Sequence, residues 1–155
     1  MIITRTPLRI SFAGGGTDLP SFYKFNKYGA VLSTSINKYI YVTVKKHPKV
    51  FTREKFRINY SETELVENLE KIRNPIIRES IKFLKIDDRL YISTISDIPA
   101  STGLGSSSTF CVGLLNALYA FKKKKVNSKQ LAEDAYHIEK NILKRPVGKQ
   151  DHYAA

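Results

Sequence analysis

Apolar and polar residues alternate near the start of the chain, with Leu8, Ile10 and Phe12 separated by Arg9 and Ser11. This period of two predicts a half-buried strand with the apolar trio facing the core and Arg9 on the opposite face. Ala13-Gly14-Gly15-Gly16-Thr17-Asp18 then breaks the strand. Three successive glycines are entropically expensive for an ordinary turn, so they suit either a close approach of backbone to a small ligand or a flexible loop. Ala30 to Ser35 and Tyr39 to Val44 are rich in Val, Ile, Tyr and Thr and read as two strands, with Ile36-Asn37-Lys38 as the break. Phe56 to Tyr60 alternates again.

Helical spacing begins at Ser61. Ser61-Glu62-Thr63-Glu64 is spelled like a capping box, and Leu65, Leu69 and Ile72 follow at helical intervals, predicting a helix that Asn74-Pro75 ends. Pro75 suits the first turn of another helix whose buried stripe is Ile77, Ile81 and Leu84. Leu90 to Ile95 reads as a strand, and Thr109 to Phe121 as a helix with apolar Val112, Leu114, Leu115 and Leu118. A last helix starts near Asn127, with Gln130 three residues on and a stripe of Leu131, Ala135, Ile138 and Ile142. Glu139 lies beside that stripe, and a carboxylate there reads on pattern alone as a solvated charge. Arg145-Pro146 ends the helix, and Gly148-Lys149-Gln150-Asp151-His152 reads as a loop. No internal repeat or linker divides residues 1–155, which read as one domain.

Between the strand at Leu90 and the helix at Thr109 lies Pro99-Ala100-Ser101-Thr102-Gly103-Leu104-Gly105-Ser106-Ser107-Ser108. Gly103 and Gly105 permit positive φ on both sides of Leu104, and the first N–H groups of the following helix lack intrahelical partners. Those donors suit an anion, and three serine hydroxyls can reach phosphate oxygens or a magnesium ion. A Walker loop is excluded because no lysine follows Gly105, and a dinucleotide fingerprint because Ser108 stands where a third glycine is needed. The bland alternative is a Gly/Ser turn with a serine cap.

Composition narrows the class. The chain has 155 residues, 42% of them hydrophobic and 11% aromatic, enough for one folded domain with a core. No stretch approaches the ~20 apolar residues of a transmembrane helix, and no charged leader with a cleavage site opens the chain, so the expected address is the cytoplasm and no membrane partner is expected. The single cysteine, Cys111, fits a reducing compartment and a packing role. The net charge of +12 raises nucleic acid as a partner and equally suits a phosphorylated substrate. The Lys122 to Lys125 run reads as a solvated complement to a helix dipole. No exposed aromatic stacking motif is evident in the sequence, which makes a nucleic-acid module the lesser reading.

Three segments together resemble the GHMP kinases, the galactokinase, homoserine kinase, mevalonate kinase and phosphomevalonate kinase superfamily. These are Arg5 to Asp18, Pro99 to Ser108, and Gly148 to Asp151. The resemblance spans almost the whole chain. It implies an α+β fold, a mixed sheet with helices packed on one side, of the kind the family uses for its N-terminal ATP-binding domain. Family members are roughly twice as long, so the chain resembles an N-terminal half without its C-terminal partner domain. Gly14-Gly15-Gly16-Thr17-Asp18 resembles the subgroup of sugar kinases acting on D-glycero-D-manno-heptose 7-phosphate or L-fucose. That implies phosphorylation at the anomeric hydroxyl on the way to nucleotide-activated heptose for surface polysaccharide.

The resemblance also implies roles. ATP phosphates fall to Gly103, Leu104, Gly105, Ser106, Ser107 and Ser108. Magnesium falls to Ser107 and Glu139, which turns Glu139 from a surface charge into a ligand. Asp151 becomes the catalytic aspartate that accepts or orients the sugar hydroxyl, and Arg9 the cation that steadies it. The sugar is met by Gly15, Gly16, Thr17 and Asp18. His152, where relatives often carry glutamine, and Val147 depart from the family pattern.

Overall fold

The computed structural model describes residues 1–49 and 53–155. Strands β1 (Ile2–Ala13), β2 (Leu32–Lys46), β3 (Phe56–Asn59), β4 (Thr63–Val66) and β5 (Leu90–Ser96) form one mixed sheet in the order β1-β2-β5-β3-β4. Only β3 and β5 run parallel; the other neighbours are antiparallel. Helices α2 (Pro75–Phe83), α3 (Ser106–Phe121) and α4 (Ser128–His137) pack together, with α3 against β1 and β2. Two short helices complete the fold, α1 (Pro20–Asn26) and α5 (Gln150–Ala154), the latter packed against β1, β2, α3 and α4. The expected α+β architecture is the one observed. Among the described residues no helix is long and apolar enough to cross a membrane.

Alternation places Ile40, Val42 and Val44 of β2, Leu90 and Ile92 of β5, and Phe56 and Ile58 of β3 on one face, where all are buried. The apolar face of α3 meets them with Leu114, Leu115 and Leu118, each fully buried. Burial of such side chains contributes about 1.5–3 kcal/mol each relative to exposure. Cys111 is buried in the same core, and burial pushes its thiol pKa up, so the packing reading holds. The opposite sheet face is open. It gathers tyrosines that the sequence leaves far apart: Tyr91 lies under Lys45 and Arg57, and Tyr39 under Arg5.

Four sequence expectations change. Of Leu8, Ile10 and Phe12 only Leu8 is buried, while Ile10 and Phe12 are 37% and 64% exposed and Arg9 is 7% exposed. The cause is a bulge: Pro7 pairs with Tyr39 and Arg9 with Ser35, so Leu8 alone faces Ile36, Asn37 and Lys38. Such an irregularity re-aims the side chains beyond it. The same bulge absorbs the expected break at Ile36 to Lys38, and residues 32–46 form one continuous strand. In the last helix Ile142 is 38% exposed, because residues 138–142 widen into a π turn in which Leu143 N–H donates to Ile138 O at 2.9 Å.

The fourth change is the helix expected from Ser61, which is instead the second strand of a β3–β4 hairpin followed by a single 3₁₀ turn at Leu69–Lys71. Glu64 explains it. Its buried carboxylate accepts from Tyr60 Oη at 2.8 Å, Arg73 N at 2.7 Å and Asn74 N at 3.2 Å, and the last two lie nine and ten residues on, out of reach had the segment been helical. Burial opposes its charge, but these donors win and hold the carboxyl below the ordinary range. A depressed folded pKa stabilises above the ordinary carboxylate range and loses that stabilisation as pH falls through it. Glu64→Gln is therefore expected to cost about 1–3 kcal/mol at neutral pH. Its stability difference from the wild type should shrink on acidification, as urea unfolding at a series of pH values would measure.

Candidate active site

The loop before α3 is shaped by three residues in the left-handed region, Ser101, Gly103 and Gly105, at φ 66°, 75° and 76°. The helix begins at Ser106, earlier than the expected Thr109, so all three serines occupy its first turn. The first bond back into the loop is Thr109 N–H to Gly105 O at 2.9 Å. The N–H groups of Ser106, Ser107 and Ser108 thus belong to the unpaired first turn, at the positive end of a 16-residue helix. Ser106 also carries a buried hydroxyl with no hydrogen-bond partner. These donors border a cleft of about 800 Å³ that also reaches Arg9, Asn74, Arg145 and Asp151. An anion fits here on three counts: donors, dipole and room.

Arg9 ties the loop to Asp151. Its Nε and Nη2 donate to Asp151 Oδ1 at 2.7 and 2.6 Å, while its Nη1 donates to Gly103 O at 2.8 Å. Its backbone N–H reaches Leu104 O at 3.2 Å, so the loop lies along β1. Burial of Arg9, unexplained by strand periodicity, follows from this enclosure. Asp151 sits in the first turn of α5 and not in a loop as expected from the sequence.

The start of α5 is set by Asp18. Its Oδ2 accepts from Gln150 N at 2.8 Å and its Oδ1 from Gly16 N at 3.1 Å, which joins the glycine loop to the turn carrying Asp151. Gly148 has to be glycine because a Cβ there would lie 1.9 Å from Asp18 Oδ2. Thr17 uses its hydroxyl inside the loop, donating to Gly14 O at 2.7 Å and accepting from Ala30 N at 3.1 Å. Gly15 lies by Gln150, whose Oε1 accepts from Ser11 Oγ at 2.9 Å. A second, smaller cleft of about 450 Å³ opens beside Asp18, Ser33, Ser35, Lys149 and Gln150. Consecutive residues of one turn, Gln150 and Asp151, thus face two different clefts.

Glu139 is fully buried in the π turn, contrary to its reading as a solvated charge. Four donors converge on it. Ser107 Oγ and Arg145 Nη1 reach Oε1 at 2.6 and 2.9 Å, and Ser108 Oγ and His152 Nε2 reach Oε2 at 2.8 and 2.9 Å. Burial would lift its pKa, but the bonds from His152, Ser107 and Ser108 prevail and hold it down to about 2. A carboxylate only accepts, so His152 Nε2 carries the proton.

Ser107 Oγ also accepts from Arg145 Nη1 at 2.7 Å. The serine and glutamate oxygens therefore face one cationic point. Hard oxygen donors of this kind fit magnesium, which binds through few protein ligands and leaves its other positions to water and phosphate. Among the described residues no group of three or more His, Cys, Asp and Glu offers an alternative metal cluster. Sequence reasoning missed Arg145, which there marks only a helix end, because nothing in the helical pattern announces the π turn that brings it back over Glu139.

Gly148→Ala is expected to displace the Asp18 carboxylate from Gln150 N and to cost about 1–3 kcal/mol from overpacking. Thermal unfolding checks the stability loss. Made in an Asp18→Ala protein, Gly148→Ala should add little further cost, because the carboxylate that the new Cβ would strike is gone.

Known proteins share this fold and part of this sequence. The GHMP kinases N terminal domain matches residues 74–155, just over half of the chain. A D-glycero-alpha-D-manno-heptose 7-phosphate kinase of Campylobacter jejuni is 34% identical over 99% of this chain and 48% of its own length. A galactokinase of Pyrococcus furiosus is 25% identical over 99% of this chain and 43% of its own. The crystal structure of a D-glycero-D-manno-heptose 1-phosphate kinase from Bacteroides thetaiotaomicron superposes with a TM-score of 0.86 at 27% identity, covering 100% of this chain and 53% of that one. The chain spans about half the length of the curated relatives it matches. From the match over α2 to α5 and the fold it shares with these proteins, the chain belongs to the GHMP kinase family.

Proposed function

We propose that this chain is the nucleotide-binding half of an ATP-dependent kinase that phosphorylates a sugar at its anomeric hydroxyl, with D-glycero-D-manno-heptose 7-phosphate as the substrate. One observation carries the reading: Arg9 bonds at once to the glycine loop at Gly103 and to Asp151. It thereby sets a proton acceptor beside an anion cradle. The heptose specificity is supported by the likeness to the heptose 7-phosphate kinase and by the glycine loop that Asp18 ties to Gln150.

The residues divide the work. The first-turn N–H groups of Ser106 to Ser108 and the helix dipole receive the phosphates of the nucleotide. Asp151, held in place by Arg9, accepts the proton of the sugar hydroxyl as its oxygen attacks the γ-phosphorus, and Arg9 offsets charge gathering on the phosphoryl oxygens. The smaller cleft, lined by Asp18, Lys149 and Gln150, lies beside that turn and suits the sugar. Ser107 and Glu139 would hold magnesium, which when bound would neutralise charge on the phosphate groups. Phosphoryl transfer is mostly positioning and electrostatics, so the fold's task is to keep these groups in register.

ADP release by the full-length protein over a panel of sugars and sugar phosphates tests the reading, and turnover is expected with heptose 7-phosphate. Asp151→Asn should lower kcat by about 100-fold or more while leaving binding of a non-hydrolysable ATP analogue in place. Unchanged turnover in that variant would remove Asp151 from the mechanism. Arg9→Met should lose both kcat and nucleotide affinity, since Arg9 serves the loop and the aspartate together.

A further inference from the structure

Glu139 is held unequally at its two oxygens. Oε2 is bonded to Ser108 and His152, both buried, whereas Oε1 is bonded to Ser107 and to Arg145, whose side chain is 33% exposed at the cleft wall. The same Arg145 Nη1 donates to Ser107 Oγ, so one guanidinium nitrogen sits where both candidate metal-binding oxygens point. A divalent cation needs those same lone pairs, and two positive centres this close repel. The backbone of Arg145 is anchored separately: its N–H donates to Glu139 O and its carbonyl accepts from Val147 N, each at 2.9 Å. The side chain can therefore leave without unfolding the turn, and Glu139 keeps two donors on Oε2 when it does.

We propose that Arg145 is a displaceable counter-ion: it holds the cation position between Ser107 and Glu139 in the nucleotide-free protein and yields it to the divalent cation that arrives with the nucleotide. The proposal rests on reading this cleft as a metal and phosphate site. Once released, the guanidinium stands in the cleft, where its planar fork suits phosphate oxygens. Arg145 acts on the metal through the oxygens it vacates, so it is a positioning residue. Metal alone binds weakly, because its apparent dissociation constant rises by the inverse of the fraction in which Arg145 is away. Nucleotide and metal then favour one another reciprocally, since each gains from the same displacement.

The test reads metal binding directly. Mn²⁺ is titrated into the full chain without nucleotide, free Mn²⁺ being followed by electron paramagnetic resonance. Arg145→Met is expected to bind Mn²⁺ about tenfold more tightly than the wild type, corresponding to a wild-type site about nine-tenths occupied by Arg145. Adding Glu139→Gln should abolish that gain. Equal Mn²⁺ affinity in the wild type and Arg145→Met overturns the proposal.

Should Arg145→Met fail to fold by circular dichroism, the wild type itself decides. With ¹⁵N-arginine labelling, and Arg145→Lys for assignment, the Arg145 Nη1–H signal is expected to be protected without nucleotide and to lose protection with Mg²⁺ and a non-hydrolysable ATP analogue. A signal unchanged at saturating complex overturns the exchange while leaving the kinase reading intact. A wild type that binds no nucleotide, beside an Arg145→Met that still gains Mn²⁺, sinks the kinase reading and supports the exchange.

Discussion

A carboxylate with no exposure has to be compensated on every lone pair or lose its charge, and Glu139 is compensated by residues from three separate stretches. Ser107 and Ser108 come from the first turn of α3, Arg145 from the turn after the π segment, and His152 from α5. Each contributes a donor, so the position of each is set by the same anion. Removing one of the buried partners, Ser108 or His152, costs several kcal/mol because the charge stays behind, whereas Arg145, partly exposed at the cleft wall, leaves a position that another cation can take. The loop that precedes α3 is thereby fixed from its helical side by Glu139 and from its outer side by Arg9.

Arg9 performs the matching task at the sheet. The bulge at Leu8 buries Arg9 and lets its guanidinium span from Gly103 to Asp151. Asp18 completes the frame by capping the turn on which Asp151 stands. The charged groups at the two clefts are therefore held by hydrogen bonds, some to other side chains and some to backbone. This suits a site whose charged groups must hold their positions before any ligand arrives.

The elements legible in the sequence were those whose cause is local. Pro75 and Asn74 start α2, with Asn74 Oδ1 accepting from Ile77 N at 3.2 Å, and Asn127 caps α4 through Gln130 N at 2.8 Å. The strand at Leu90 and the long α3 followed from periodicity. What escaped was decided at a distance. Glu64 turned an apparent capping box into a strand through Arg73 and Asn74, and the bulge at Leu8 took two of the three alternating apolar residues out of the core. In the site, the glycine-serine loop, Asp151 and Arg9 were singled out by motif, and the structure brings them together. Arg145 gave no signal, because its importance comes from a π turn that composition does not encode.

The Arg9–Asp151 bond joins residues 142 apart in sequence. Loop closure of that span is entropically late, and non-local contacts of this kind slow folding. On a ribosome adding about 5–20 residues per second, Arg9 waits roughly seven to thirty seconds for Asp151. During that interval Arg9 has no carboxylate and the anion cradle lacks one of its walls. The cleft before α3 therefore takes its shape only where β1 and α5 have met, and the affinity of any ligand bound there reads that contact.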